Sequence, residues 1–195
     1  LLWVTSGNIA LDGNVTANGG TGTGGTITLR TDAGSINVNN VSSTGTTAGG
    51  TVQMTATASA TAGGITQDAS SAITARYLRL LSVGTLSNGD VVLTEANNNV
   101  EILAAALSGV AKLDYNDLNA LALDAVPGAG TLAGAAIVTT NDVTVAGANT
   151  IRIKTGGNLT STTNGDVIST GTADGGDVLL WVTSGNIALD GNVTA

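Results

Sequence analysis

Apolar and polar residues alternate in short runs along the whole chain. The clearest runs open with two apolar residues one position apart, at Leu2 and Val4, Ile27 and Leu29, Val52 and Met54, Leu78 and Leu80, Val100 and Ile102, Ile151 and Ile153, and Leu180 and Val182. Alternation with period two, bounded by Gly, Asn, Asp or Ser, is typical of β-strands joined by turns. With one further start near Leu121 and Leu123, the pattern predicts about seven units of roughly 25 residues.

Most units contain a second strand signal that follows a glycine. These runs begin at Gly7, Gly34, Gly63, Gly89, Gly165 and Gly185. Glycine adopts the positive φ that a sharp corner needs, and asparagine tolerates it next best. The glycine-rich segments "NGGTGTGG" (18–25) and "STGTTAGG" (43–50) are therefore predicted to be corners and surface loops.

One segment offers an alternative to strand. Residues Glu101 to Ala125 are rich in Ala and Leu, which favour helix. Leu121, Leu123 and Ala125 nevertheless fall on alternate positions, which suits a strand better. We predict strand here, with helix as the alternative.

The seventeen residues "LLWVTSGNIALDGNVTA" occur at both ends of the chain, from Leu1 to Ala17 and from Leu179 to Ala195. The offset is 179 − 1 = 178 residues. We interpret the chain as a window on a longer tandem array. Residues 1–178 form one full repeat block, and residues 179–195 begin the next identical block.

A single unit of 25 residues cannot bury its apolar side alone, whereas stacked units share one core. A unit of about 25 residues with strands of about five residues fits one turn of a coil with three sides. Each strand then pairs in parallel with its equivalent one turn on, so we predict an all-β fold. We expect a right-handed parallel β-helix, or β-solenoid, because parallel crossovers overwhelmingly take that hand. At ~4.8 Å per turn, about seven turns make a block ~34 Å long. The expected inward side chains include Leu2, Val4, Ile9, Leu11, Ile27, Leu29, Ile36 and Val38.

Composition narrows the possible functions. The chain has no Cys and no His, 10% charged residues and a net charge of −8. The missing His excludes a Ser-His-Asp triad within this chain, and the missing Cys excludes disulfides and thiolate metal sites. The six Lys and Arg residues are scattered, so no basic stripe predicts nucleic-acid binding. No apolar run is long enough to predict a transmembrane helix.

Few residues are candidates for chemistry. The closest carboxylates are Asp114 with Asp117 and Asp174 with Asp177, which could act as an acid–base pair or bind a cation. We favour turn formation and solubility for them, since Asp bonds its own backbone in turns. The sequence analysis therefore predicts no enzyme activity, no catalytic, cofactor-binding or metal-binding residue, and no cofactor.

Three patterns of uncharged residues raise further alternatives. Trp3 and Trp181 occupy one repeat position, and we favour packing at a corner over an exposed contact with sugar or another fibre. Thr55 to Ala62 includes alternating threonines of the kind found on ice-binding faces, but neighbouring units lack them. Asn8, Asn158 and Asn186 could form amide ladders along the axis if they fall in register.

Units such as "GNIALDGNVTANGGTGTGGTITLRTDAGSINV" resemble the repeats of filamentous-haemagglutinin-like proteins. The resemblance covers essentially the whole chain, through a loose motif of Gly, then Ile or Val, then alternating apolar residues. It implies a parallel β-helix in a large bacterial surface or secreted adhesin.

The expected function is a structural repeat segment of an extracellular bacterial fibre or adhesin stalk. Its expected partners are further copies of itself end to end, with lateral fibre or cell-surface contacts and no nucleic acid or membrane span. The alternative is an adhesin module that recognises glycan or protein through surface loops.

Overall fold

A computed structural model describes residues 1–57, 63–84, 89–109, 111–132, 135–147, 149–171 and 175–195. All of the regular structure in these residues is β-strand, and they contain no helix that could span a membrane. The strands are β1 (Leu2–Val4), β2 (Ile9–Ala10), β3 (Val15–Asn18), β4 (Thr26–Thr31), β5 (Ile36–Val38), β6 (Val41–Thr44), β7 (Thr51–Thr57), β8 (Ile65–Gln67), β9 (Ile73–Val83), β10 (Val91–Leu93), β11 (Asn99–Leu107), β12 (Leu113–Asp117), β13 (Leu121–Leu123), β14 (Thr131–Leu132), β15 (Ala135–Ala136), β16 (Val143–Ala146), β17 (Ile151–Thr155), β18 (Leu159–Ser161), β19 (Val167–Thr170), β20 (Val178–Val182), β21 (Ile187–Leu189) and β22 (Val193–Thr194).

The strands coil around three faces. Face A contains β1, β4, β7, the second parts of β9 and β11, β16, β19 and β22. Face B contains β2, β5, β8, β10, β12, β17 and β20. Face C contains β3, β6, the first parts of β9 and β11, β13, β18 and β21. β9 and β11 continue around the corner from face C to face A, which joins these two faces into one sheet.

Each strand pairs in parallel with its equivalent one turn on, so inward side chains form columns along the axis. One column on face A runs through Leu29, Met54, Leu80, Ala105, Val143 and Val167. These side chains are at most 2% exposed. The all-β parallel solenoid of about seven turns is thus confirmed, because the chain makes seven turns and one further strand.

Most of the expected inward positions are buried. Ile9, Ile27, Leu29, Ile36 and Val38 are all at most 6% exposed. Val4 and Leu11 pack against the core while partly buried. Leu2 differs, at 43% exposed, because it lies in the first turn and no earlier turn covers it.

The segment with the helical alternative is strand. Residues 101–125 contain most of β11, all of β12 and all of β13, each in parallel register with its neighbours. Inward Leu103, Leu113 and Leu121 are at most 1% exposed. Stacking on the adjacent turns outweighs the helix propensity of Ala and Leu.

The two copies of the seventeen-residue string lie on different faces. Trp3 pairs with Arg30 on face A, whereas Trp181 pairs with Lys154 on face B. Likewise β2 lies on face B and its copy β21 on face C, while β3 lies on face C and its copy β22 on face A. Passing from β1 to β20 takes nineteen steps from face to face. Because three steps make a turn, the 178-residue period contains six turns and one extra face.

The two copies have the same local structure despite this rotation. Both form three strands at corresponding positions, and the corner glycines Gly7 and Gly185 both have a positive φ, +107° and +116°. The sequence of the string specifies its strands and corners. The face on which each strand lies depends on how many strands precede it.

The alternation of apolar and polar residues in the sequence does not indicate which face of the coil each predicted strand occupies. The starts at Leu2, Ile27, Val52 and Leu78 all lie on face A, but those at Ile151 and Leu180 lie on face B. The reason is that inward and outward alternation is identical on every face.

One hairpin leaves the stack. Between β13 and β16, the short antiparallel strands β14 and β15 form a hairpin whose base is closed by two backbone hydrogen bonds between Val126 and Thr140. The hairpin lies over the outer side of face A, where the backbone of Ala129 bonds the amide of Gln53. Gln53 is consequently 1% exposed although it points away from the core.

Replacing a stacked core leucine is expected to be costly. Leu80→Ala removes a fully buried side chain from the face A column, and its expected cost is about 2–5 kcal/mol of unfolding free energy. Leu118→Ala is the matched control, since Leu118 is 49% exposed and its loss is expected to cost less than about 0.5 kcal/mol. Urea unfolding followed by circular dichroism measures both. Equal losses would contradict the proposed core.

Candidate functional site

The side chains of Asp114 and Asp117, one of the two closely spaced carboxylate pairs in the sequence, lie apart in the structure. Asp114 and Asp117 are three positions apart on β12, so their side chains point to opposite sides of the strand. Asp114 points outward and approaches Arg152 on the next turn, with 3.4 Å between Oδ2 and Nη1. Asp117 points inward and is 2% exposed. The pair therefore does not form a shared acid–base or cation site.

Asp117 belongs to a buried polar cluster. Its Oδ2 accepts hydrogen bonds from the Tyr115 hydroxyl at 2.8 Å and the Val100 backbone N–H at 3.0 Å, and its Oδ1 accepts one from Asn119 N–H. Burial raises the pKa of the Asp117 carboxyl, although these hydrogen bonds oppose the rise. Burial and the charge of Asp117 also raise the pKa of Tyr115. The bonds tie consecutive turns together at a corner, which is a structural role.

No metal-binding group is present in the described part of the chain. There, no three carboxylates lie close enough together to hold an ion. Asp177 is described, but its predicted companion Asp174 lies outside the described residues.

The most distinctive outer surface is a groove on face B. Two columns of outward side chains line it, one with Asp114, Arg152 and Leu179 and the other with Thr94, Asn116, Lys154 and Trp181. Its volume is about 270 Å³. The Lys154 ammonium lies 4.9 Å from the centre of the Trp181 ring, and Trp181 is 53% exposed. A sugar can stack on an exposed aromatic face. The cations and amides beside that face can bond the hydroxyl or acidic groups of the sugar.

The prediction that Trp3 and Trp181 pack at corners is wrong. Each lies within a strand between two inward side chains, so alternation points the indole outward. Trp3 is 40% exposed, lies near the Arg30 guanidinium and donates its Nε1–H to Asp32 at 2.7 Å. The hydrogen bond from Arg30, with a smaller one from Trp3, lowers the pKa of Asp32.

Among the described residues, Asn8, Asn158 and Asn186 do not form the predicted ladder of side-chain amides, because the side-chain oxygens of Asn8 and Asn158 accept backbone N–H groups instead. Asn158 Oδ1 accepts the backbone N–H of Asn186 on the next turn at 2.9 Å, but the equivalent acceptor at Asn8 serves Ser35. The threonine rank is also absent among the described residues, since Thr55 has Arg30 and Leu81 as its neighbours in register. Residues 58–62 of that segment lie outside the described part.

The alternating pattern did not predict the groove. Arg152 and Lys154 are ordinary outward residues in the sequence, and Asp114 precedes Arg152 by 38 positions. The signal that would have found the groove is the register between turns, which the hairpin insertion between β13 and β16 obscures.

Comparison with protein-family models, with curated proteins and with solved structures found no match in any of the three.

The buried carboxyl predicts a specific pH dependence. Because the folded state raises the pKa of Asp117 above its unfolded value near 3.8, the folded chain binds more protons than the unfolded chain in this range. The stability of the wild type relative to Asp117→Asn is therefore expected to be greatest at acid pH and to fall as pH rises through the folded pKa. Urea unfolding from pH 3 to 8 measures it. Asp114→Asn controls for the loss of one charge. A rise with pH in the unfolding free energy of the wild type minus that of Asp117→Asn would refute the assignment.

Proposed function

We propose that this chain is a structural repeat segment of an extracellular bacterial fibre or adhesin stalk, of the filamentous-haemagglutinin-like kind, with no catalysis. The single observation that carries the proposal is that the repeated string continues the same stack at both ends, one face apart. A coil with this property lengthens by adding blocks, with no change in its cross-section.

The block boundary supports this proposal. β20 begins at Val178, the last residue of the first block, and continues through the start of the second block to Val182. All five of its residues pair in register with β17. The backbone ladder therefore crosses the boundary without interruption, as a continuous rod requires.

The two copies of the tryptophan support it as well. Trp181 has Lys154 on the turn before it, and Trp3 has Arg30 on the turn after it. In a tandem array both neighbours belong to the same tryptophan, whose ring then lies between a lysine and an arginine. The two sets of contacts are compatible because the register places the lysine one turn before the tryptophan and the arginine one turn after it.

The proposal gives the fibre a defined geometry. Six turns and one face at ~4.8 Å per turn make each block about 30 Å long, instead of the ~34 Å expected for seven turns. Features that occur once per block, such as the tryptophan and the hairpin, move to the next face in each successive block. They return to the same face after three blocks, or about 90 Å.

Electron microscopy of chains with one, two and three blocks tests the proposal. The length is expected to increase by about 30 Å per block at constant width, with the hairpin on a different face in each block. A chain in which the second block has a shuffled sequence of the same composition is the control. Compact particles, or lengths that do not increase with block number, would contradict it.

The proposed partners and location follow from the same properties. Further copies of the block stack end to end, because the backbone ladder of β20 crosses the block boundary in register. The net charge of −8 keeps neighbouring rods apart, so lateral contacts depend on ionic strength. We place the fibre outside the cell or on the cell surface.

The groove on face B favours a second candidate function, an adhesin module that binds glycan. The half-exposed Trp181, with Lys154 and Asn116 beside it, provides a stacking surface and polar groups for one sugar. In a tandem array, an arginine on the next turn approaches the other side of this ring. The structural function therefore remains the first proposal.

A glycan array distinguishes the two candidates. If the groove binds sugar, Trp181→Ala is expected to reduce retention about 5- to 150-fold, since stacking on an aromatic ring contributes about 1–3 kcal/mol where it has been measured for bases. Trp3→Ala is the matched control, because it removes the same residue from face A. Absence of retention by the wild type, or equal loss in both variants, would exclude the groove as a glycan site.

A further inference from the structure

Arg79 differs from every other cation in the described part of the chain. Four of the others approach a carboxylate, in the pairs Arg30–Asp32, Arg76–Glu101, Lys112–Asp90 and Arg152–Asp114. Lys154 lies over Trp181. Arg79 is 3% exposed and has no described carboxylate within ion-pair distance, and its buried Nε–H donates to no described acceptor.

A buried guanidinium without an anion is costly, because protein surroundings solvate the charge less well than water does. Desolvation lowers the pKa of Arg79, but an arginine remains protonated in proteins. The chain thus holds a positive charge under the hairpin, although its net charge is −8.

A cavity that is partly open to solvent lies beside Arg79. Its volume is about 240 Å³. The floor is the outer side of face A, with the hydroxyls of Thr28 and Thr55 and the guanidinium groups of Arg30 and Arg79. The roof is the hairpin segment Ala135–Val138, which is apolar. None of the described residues that line the cavity is acidic.

The hairpin is held in position at this cavity. Gln53, one turn before Arg79 in register, donates its Nε2–H to Ala129 O at 2.6 Å and to Thr28 Oγ1 at 2.6 Å. Its Oε1 accepts the N–H of Ala129 at 3.3 Å. A buried amide that bonds both backbone groups of one loop residue fixes where the hairpin lies on face A, so the cavity has a defined floor and roof.

We propose that this cavity binds a small ligand that carries a carboxylate, of the size of an acidic monosaccharide or a short organic acid. The guanidinium of Arg79 bonds the carboxylate, since its planar fork matches that group. The two threonine hydroxyls bond the polar groups of the ligand, and the apolar hairpin packs on its body. This site is independent of the face B groove and of the proposed fibre.

Calorimetric titration at matched ionic strength tests the proposal with glucuronate, glucose, acetate and sulfate. The wild type is expected to bind glucuronate at least tenfold more tightly than glucose, and Arg79→Gln is expected to abolish that preference. Arg76→Gln is the matched control, because it removes an arginine that lines neither this cavity nor the face B groove. Binding of acetate as tightly as glucuronate would support a carboxylate site for short organic acids.

Three results would overturn the proposal. They are no preference of the wild type for any acid over glucose, an unchanged preference in Arg79→Gln, and tighter binding of sulfate than of either carboxylate. If Arg79→Gln does not fold, Ala135→Trp fills the cavity from the exposed hairpin and leaves the stack intact. It is expected to weaken glucuronate binding at least tenfold, and unchanged binding would also refute the site.

Discussion

Pairing of each strand with its equivalent one turn away is the interaction on which the rest of the structure depends. It satisfies the backbone of every turn and covers the inward side chains of the turn before. A chain with few aromatic residues and few charges can fold in this way because the columns of Val, Ile and Leu need only a matching neighbour above and below. The same pairing leaves the first and last turns incomplete, which is why Leu2 is exposed while Leu29 is buried.

This constraint allows a repeat of six turns and one face. A strand requires inward and outward alternation and a corner that turns the chain, and every face of the coil offers the same conditions. Identical strings can therefore occupy faces A and B with the same strands and the same positive φ at Gly7 and Gly185. A whole number of turns per block is not required for a continuous rod, but it would be required to keep a surface feature on one side.

The outer surface is where function can vary without disturbing the stack. Register brings together residues far apart in the sequence, such as Asp114 with Arg152 on face B and Thr28 with Gln53 on face A. The hairpin adds a second layer to face A and buries Arg79 with no described acceptor for its Nε–H. The face B groove is therefore a product of stacking alone, and the face A cavity is a product of stacking and the hairpin insertion.

The sequence by itself determined the strands, the glycine corners, the all-β stack and the inward positions, because alternation and turn residues act over a few neighbouring positions. Between Glu101 and Ala125 the spacing of Leu121 and Leu123 favoured strand but left helix as the alternative, and stacking on the adjacent turns decided for strand. Only the tertiary structure decided which face each strand occupies, that Trp181 faces outward beside Lys154, and that Asp114 and Asp117 diverge. These depend on the register between turns, which accumulates over the whole chain and changes with the length of each loop.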